Sequence, residues 1–339
     1  MSMPMTINPG VAAVPDGTGF KVSVVVPLFN EEDVLDEFNR RLVAALAALP
    51  FDSEIVYVDD GSTDATPQLL AGLQDEQPAV SVARLSRNFG KEAAMSAGLK
   101  LAQGNAVIVI DADLQDPPEL IGPMVEAWQR GADVVNMRRT SRAGETWLKK
   151  ATSSGFYSLF NQLSDVPIPD QVGDFRLFSR RAVDALNQLP ERNRFMKGLF
   201  AWIGFTQVAL DYARQPRAAG YTKWRYRKLW GFALQGITSF SIVPLKLATY
   251  AGLLSALGAF VYAAHFLIQT LTAGESVRGF PTLIVTILLL GGLQLMATGL
   301  LGEYLGRMFV ESKRRPLYLI DHYRPASAPK VALPARSRP

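Results

Sequence analysis

The 339-residue chain is 48% hydrophobic with a net charge of +4, longer than one typical domain, so a second compartment is expected. Zero cysteines exclude disulfides, thiolate metal sites and cysteine nucleophiles. The charge is uneven: residues 1–211 hold 19 Lys+Arg against 27 Asp+Glu, and residues 212–339 hold 16 against 4. The basic half is also the oily half, which points to anionic or phosphorylated lipid and away from nucleic acid.

Residues 1–20 lack the charged and apolar regions of a signal peptide and read as a flexible tail. "KVSVVVPLF" then predicts a buried strand, followed by an amphipathic helix over 31–49. "SEIVYVDD" predicts a second strand with a helix over 64–74, and "VSVARLS" a third with a helix over 91–102. "AVIVIDAD" is the fourth, its helix opening at Pro117-Pro118, where proline is tolerated in a first turn. "DVVNMRR" is the fifth, and "VGDFRLFS" sets Asp174 and Arg176 on a further strand ahead of a helix. Alternation of fully apolar strands with helices predicts an α/β fold: a mainly parallel, Rossmann-like sheet covered on both faces.

Such sheets bind ligands at the carboxyl ends of their strands, and the polar clusters sit there. Strand one ends in Asn30-Glu31-Glu32, strand two in Asp59-Asp60-Gly61-Ser62, and strand three in Ser86-Arg87-Asn88. Strand four ends in Asp111, Asp113 and Asp116, three acids in "DADLQD". Singly, Ser62 or Thr63 reads as a helix cap; together, four rims form a ligand site. Three carboxylates converging on one strand end repel unless a positive charge lies between them. With no G-x-G-x-x-G after strand one and no Walker motif around Gly90-Lys91, a phosphorylated ligand needs a hard cation held by one or two carboxylates. Asp113 is the preferred ligand; Gln115 adds a neutral oxygen, and Asp111 binds ribose or metal.

"VVPLFNEE", "YVDDGSTD", "LSRNFGKEAAMSAGL" and "DADLQDPPE", in that order, resemble the family-2 glycosyltransferases of the GT-A fold. The resemblance is closest to the polyprenyl-phosphate branch and runs from about Lys21 to Leu319. It implies that Pro27, Phe29, Glu31 and Asp60 hold the nucleotide, and that Asp111, Asp113 and Gln115 surround Mg2+ or Mn2+. Asp59, Ser86, Asn88, Lys91 and Ala112 complete the expected nucleotide-sugar set along the same rims. The activity implied is transfer of a sugar from a UDP- or GDP-linked donor to a polyprenyl phosphate with inversion, for cell-envelope glycosylation. UDP-glucose is the preferred donor; GDP-mannose, UDP-GlcNAc and modified arabinose donors are the alternatives.

Beyond strand five, Arg138, Arg139 and Arg142 form a cationic group suited to a phosphate monoester. With Arg176 they make the expected lipid-phosphate site, and Arg138 and Arg139 join Asp113 and Asp174 as catalytic candidates. The second pKa of a phosphate acceptor is about 6, so it needs little deprotonation near neutrality. Asp174 is therefore read as orienting sugar or Arg176, with general base the lesser role.

After that domain, taken as 21–222, come "YTKWRYRKLWGFALQGITSF", read as an interfacial segment over 223–240, and two uncharged runs of 28 (Leu247–Gly274) and 24 residues (Gly279–Gly302). The shorter run spans about 36 Å as a helix, enough for a hydrocarbon core of about 30 Å. Spans over 245–271 and 280–302 are expected within a hairpin of 241–310, with a tail over 311–339. The cations flanking them, Lys223 to Lys228 before and Arg307 to Arg315 after, put both termini and the catalytic domain on the cytoplasmic side of the plasma (inner) membrane. Gly302 and Gly306 permit close helix packing; a homo-oligomer, a tetramer, is the expectation. Two rivals stand beside this reading. A processive polysaccharide synthase needs more spans and a Gln-x-x-Arg-Trp motif, and a catalytically inactive membrane-tethered scaffold predicts tolerance of Asp113→Ala.

Overall fold

A computed structural model of the chain describes residues 19–140, 172–192, 194, 196–213, 243–273, 279–327 and 331. Arg142 and the interfacial segment expected over 223–240 lie outside the described residues. The chain divides into two compact units.

The first unit is built on β1 (Lys21–Leu28), β2 (Asp52–Asp59), β3 (Val80–Leu85), β4 (Ala106–Val109), β5 (Val134–Arg139), β6 (Val172–Ser179), β7 (Gln207–Tyr212) and β8 (Ile320–Arg324). They form one sheet in the order β7-β5-β6-β4-β1-β2-β3-β8. The pairs β1–β2, β1–β4, β2–β3 and β5–β7 are parallel, while β6 runs antiparallel between β4 and β5. The helices are α1 (Leu35–Ala47), α2 (Thr66–Glu76), α3 (Lys91–Leu101), α4 (Ile121–Gln129), α5 (Arg180–Gln188) and α6 (Met196–Trp202).

Because side chains alternate along a strand, β1 buries both faces. Val22, Val24 and Val26 join a core with Leu42 and Leu46 of α1, Leu70 of α2 and Met124 of α4. Val25 points the other way, where a Cβ added to Gly98 of α3 would stand 2.2 Å from its Cγ1. Only glycine lets α3 lie that close to the sheet.

Two boundaries differ from expectation for local reasons. The helix expected from residue 31 begins at Leu35, because Asn30 takes a φ of 55° and the Glu31 carbonyl accepts the N–H groups of Val34 and Leu35 as a turn. The helix expected from Pro117-Pro118 opens with a 3₁₀ turn over Pro118–Leu120 before α4. The expected tail over 311–339 also contributes structure. Ile320–Arg324 pairs with β3 as an antiparallel edge strand, and Val331, 1% exposed, is in the core.

The second unit contains α7 (Val243–Ala273) and α8 (Phe280–Ser312), packed on each other. Both are long and apolar enough to cross a membrane, over Leu245–His265 and Val285–Ser312. Their large side chains stay exposed, Leu253 at 66% and Phe260 at 72%, so an apolar surrounding rather than a protein core would cover them. The hydroxyls of Thr249, Thr286 and Thr298 donate to carbonyls four residues back, which satisfies them without water.

Candidate active site

The strand order places the site. The chain builds outward from β1 through β2 to β3, then returns to β4 on the other side, so the reversal of direction lies between β1 and β4. Ligands of such sheets bind in the crevice at that point. The β1–β4 ladder stops at Val25↔Val109, with the Ile110 N–H donating to the Val25 carbonyl. Pro27, two residues on, faces the same side and has no N–H to offer. Its ring therefore occurs where β4 has ended and the crevice opens.

The loops around the crevice hold one another. The Asn30 N–H donates to Ser62 Oγ at 2.9 Å, and the Thr63 N–H returns to Asn30 Oδ1 at 2.8 Å. The Glu31 N–H reaches Thr66 Oγ1 at 3.0 Å, and the Ala65 N–H reaches Glu32 Oε2 at 2.7 Å. Asp60, 3% exposed, accepts the N–H groups of Phe89 at 2.7 Å and Gly90 at 2.9 Å. Burial pushes its carboxyl up and those two donors oppose it. Between the loops Gly61, at a φ of 70°, passes so near the β3–α3 loop that a Cβ would lie 2.5 Å from the Arg87 carbonyl carbon. Three consecutive strand ends thus form one rigid rim.

On the other side of the crevice the antiparallel register Val109↔Arg176, carried two residues further, brings Asp111 opposite Asp174. The Lys91 ammonium lies between them. It is 2.7 Å from each Asp111 oxygen and 2.5 Å from Asp174 Oδ2. Loss of solvent at the rim would lower the Lys91 pKa, but the two carboxylates raise it above the usual lysine value. Burial would likewise raise Asp174, yet Lys91, Lys197 and Arg176 hold it well below the usual carboxylate range. Asp111 is pushed up by burial, with Asp174 adding to the rise and Lys91 opposing it.

Asp113 stands on the next turn of chain, its Oδ1 accepting the Gln115 N–H at 3.1 Å, while Leu114 between them is buried at a φ of 59°. A leucine in the left-handed region is a strained position of the kind that concentrates at functional sites. Asp111, Asp113 and Gln115 offer hard oxygen donors, the right chemistry for Mg2+ or Mn2+. Among the described residues no three His, Cys, Asp or Glu side chains are gathered as a metal cluster. Both Asp111 oxygens face Lys91 instead.

The family model for glycosyl transferase family 2 matches residues 23–186. The chain is 48% identical over 302 residues to a bactoprenol glucosyl transferase of Shigella phage SfV, covering 89% of this chain and 98% of that one. It is 50% identical over 301 residues to an uncharacterized glycosyltransferase of Synechocystis sp., with 89% and 95% covered. The chain belongs to glycosyltransferase family 2. Among solved structures it is similar to S. aureus TarS 1–349 in complex with UDP-GlcNAc, with a TM-score of 0.46, 18% identity, and 65% of this chain and 66% of that one covered.

Within this family-2 glycosyltransferase the expected arginines part company. Arg138 and Arg139 are neighbours on β5, so their side chains leave opposite faces of the sheet. Arg138 makes a bidentate pair with Asp211 of β7 at 2.6 and 2.9 Å, with both side chains about half exposed. Arg139 turns inward, its Nε donating to Tyr212 Oη at 3.2 Å and its guanidinium 3.7 Å from Asp116. Arg176, fully buried, donates from Nε to the Gly173 carbonyl at 3.0 Å, its guanidinium 4.8 Å from the Phe200 ring centre. The third aspartate of "DADLQD" does not join the other two, since Asp116 is 0% exposed and accepts from the Tyr212 hydroxyl.

Ser86 and Asn88 are exposed, the Ser86 N–H donating to the Leu319 carbonyl at 3.0 Å. Asp59 is buried, accepting the Ser62 N–H at 2.8 Å with the Arg84 guanidinium 3.5 Å away. Ala112 is buried, and Phe29 and Glu31 are half-buried at the mouth. Sequence reasoning missed Glu92, which follows Lys91 and whose carboxyl burial pushes up to about 7, aided by Asp174. It also missed Tyr212 and Asp211, the partners of the two arginines. A groove of about 930 Å³ between α1 and α4, with Pro50 and Phe51 among its lining, is bordered by none of the predicted site residues.

Proposed function

We propose that this glycosyltransferase moves a sugar from a nucleotide sugar, with UDP-glucose the preferred donor, onto undecaprenyl phosphate or a similar polyprenyl phosphate, inverting the anomeric carbon. The observation that carries this reading is the 47–48% identity to bactoprenol glucosyl transferases of Shigella phages SfV and SfII over nearly their whole length. The acid-lined crevice between β1 and β4 is the site that such a donor would fill.

Pro27, Phe29, Glu31 and the Asp60-anchored loop bind and orient the nucleotide. Asp111, Asp113 and Gln115 would hold Mg2+ or Mn2+, which when bound supplies Lewis-acid stabilisation of the departing nucleoside diphosphate. Asp174, held ionised by Lys91, orients the sugar. The acceptor phosphate is largely a dianion near neutrality and attacks the anomeric carbon directly, so a general base has little to do. Arg138 receives that phosphate. Its exposed pair with Asp211 is worth about 0–1 kcal/mol, so a dianion readily takes the guanidinium over. Arg139 holds the β5 end in place from within, and Arg142 completes the acceptor side, while Arg176, expected at the lipid phosphate, is fully buried and braces the β6 strand beneath it instead. The two apolar helices span the inner membrane, with the catalytic unit and both termini cytoplasmic, as the cations at 307–315 favour.

The experiment is transfer of labelled sugar from UDP-glucose, GDP-mannose, UDP-GlcNAc and an arabinose donor to undecaprenyl phosphate in membranes, with divalent metal or chelator. A labelled single-sugar lipid from one donor, lost with Asp113→Ala in a folded chain, is expected. A long polymer would favour a processive synthase. Full tolerance of Asp113→Ala with no transfer would favour a scaffold.

A further inference from the structure

Lys91 has a task that nucleotide binding alone does not explain. Asp111 and Asp174 come from the adjoining ends of β4 and β6 and face one another, two like charges in a partly desolvated crevice. Such a pair is unstable unless a positive charge sits between them. The Lys91 ammonium has three N–H donors, and three carboxylate oxygens stand at 2.7, 2.7 and 2.5 Å.

The lysine reaches this point from a fixed root. It is the first residue of α3, directly after Gly90, which has a φ of 99° and whose N–H is tied to Asp60. Its side chain is 41% exposed, so it can swing without disturbing the core. An ammonium is a compact point charge on a flexible four-carbon stem, the nearest thing in the side-chain repertoire to a small cation.

A divalent cation at Asp111 needs the same oxygens that Lys91 now faces. The two cannot share them, since each would repel the other across one carboxylate. We propose that Lys91 is a displaceable counter-cation. In the donor-free enzyme it bridges Asp111 and Asp174, and when metal and nucleotide diphosphate enter together the ammonium leaves Asp111 for the diphosphate. The inference rests on the reading of Asp111 as a metal ligand. It implies that metal alone binds weakly, because it must draw the ammonium off two of its three carboxylate oxygens with only Asp174 left to hold it. A diphosphate gives the ammonium a new anionic partner, so the two ligands tighten each other reciprocally.

The test uses the full-length protein in detergent and reads free Mn2+ by electron paramagnetic resonance, with no sugar transfer involved. Wild type should bind Mn2+ weakly alone and more tightly with UDP, or with GDP in a parallel titration. Lys91→Met should bind Mn2+ alone about tenfold more tightly than wild type, with most of the nucleotide enhancement gone, a coupling of ordinary allosteric size. Lys91→Arg, which keeps the positive charge, should keep the binding of Mn2+ alone weak. The unfolding midpoint guards against a misfolded variant: Lys91→Met should melt lower than wild type in chelator and regain the difference in Mn2+.

Equal Mn2+ affinity of wild type and Lys91→Met, or a midpoint lowered equally with and without Mn2+, overturns the proposal and leaves the proposed function standing. Failure of every form to bind Mn2+, with or without nucleotide, removes the metal reading of Asp111 and this inference with it.

Discussion

The Asp116 carboxylate, 0% exposed, lies 3.7 Å from the Arg139 guanidinium, and the Tyr212 hydroxyl donates to the same carboxylate. That buried triangle ties the end of β5 to the β4–α4 loop and to β7. Removing one partner of a buried pair leaves the other charge uncompensated, at about 3–5 kcal/mol. Asp116→Ala should therefore lower stability by about that amount, measured by thermal unfolding of the detergent-solubilised chain. Tyr212→Phe, which deletes only the hydroxyl, should cost about 1–2 kcal/mol. An Asp116→Ala protein that melts like wild type would refute the structural role.

Arg138 should respond in the opposite way. Its pair with Asp211 is about half exposed on both sides, and surface pairs contribute about 0–1 kcal/mol. Arg138→Ala should leave the unfolding midpoint almost unchanged while raising the KM for polyprenyl phosphate about tenfold or more, the scale of a lost charge-assisted contact. The KM for the nucleotide sugar should stay put. A loss confined to the donor KM would place Arg138 on the wrong side of the reaction.

These two neighbours show what was legible and what was not. Every rim was visible because each apolar run stops at a polar cluster, at Asn30, Asp59, Ser86 and Asp111, and the parallel strands put those stops on one edge. That Arg138 and Arg139 part to opposite faces follows from the two-residue period of a strand, a signal present in "NMRR". The separate fate of Asp116 was hidden, since it looks like Asp111 and Asp113 in sequence. A positive φ at Leu114 and a tyrosine 96 residues downstream turn it inward. Lys91 was expected at the nucleotide sugar, but its bridge between Asp111 and Asp174 was similarly opaque, because Asp174 is 83 residues away, on a strand whose antiparallel insertion between β4 and β5 is a matter of tertiary packing.

Glu92 gives the fold a pH dependence. Burial, with Asp174 nearby, pushes its carboxyl up to about 7. Between the ordinary carboxyl value of about 4.3 and 7 the folded chain holds more protons than the unfolded one. The contribution of Glu92 to stability therefore falls as pH rises through that window. Glu92→Gln, neutral throughout, should be more stable than wild type at pH 8 by about 1–3 kcal/mol, with the advantage shrinking toward pH 5. Asp174, held low, stays ionised across this range and adds no slope of its own. Unfolding midpoints of both proteins at pH 5 and pH 8 decide it, and an identical offset at the two would show that Glu92 is not the group titrating.

The C-terminal strand should matter beyond its five residues. β8 covers the edge of β3, and an uncovered strand edge invites pairing with another chain. Its surroundings are fastened at several points: the Gln74 Nε2 donates to the Arg324 carbonyl at 2.8 Å, Arg324 pairs with Asp75 at 2.8 Å, and the Val331 N–H donates to the Ser53 carbonyl at 3.1 Å. A chain ended at Tyr318 loses these contacts and the burial of Val331, itself about 1.5–3 kcal/mol. Its unfolding midpoint should fall and its tendency to self-associate should rise, read by thermal unfolding and size-exclusion chromatography. The same cut removes the Leu319 carbonyl from the Ser86 N–H, at the start of the loop whose Phe89 and Gly90 amides hold Asp60. Donor KM should rise more than acceptor KM in whatever folded fraction survives. If the shortened protein keeps both its midpoint and its donor KM, β8 is a passenger on the sheet rather than a brace for the nucleotide loop.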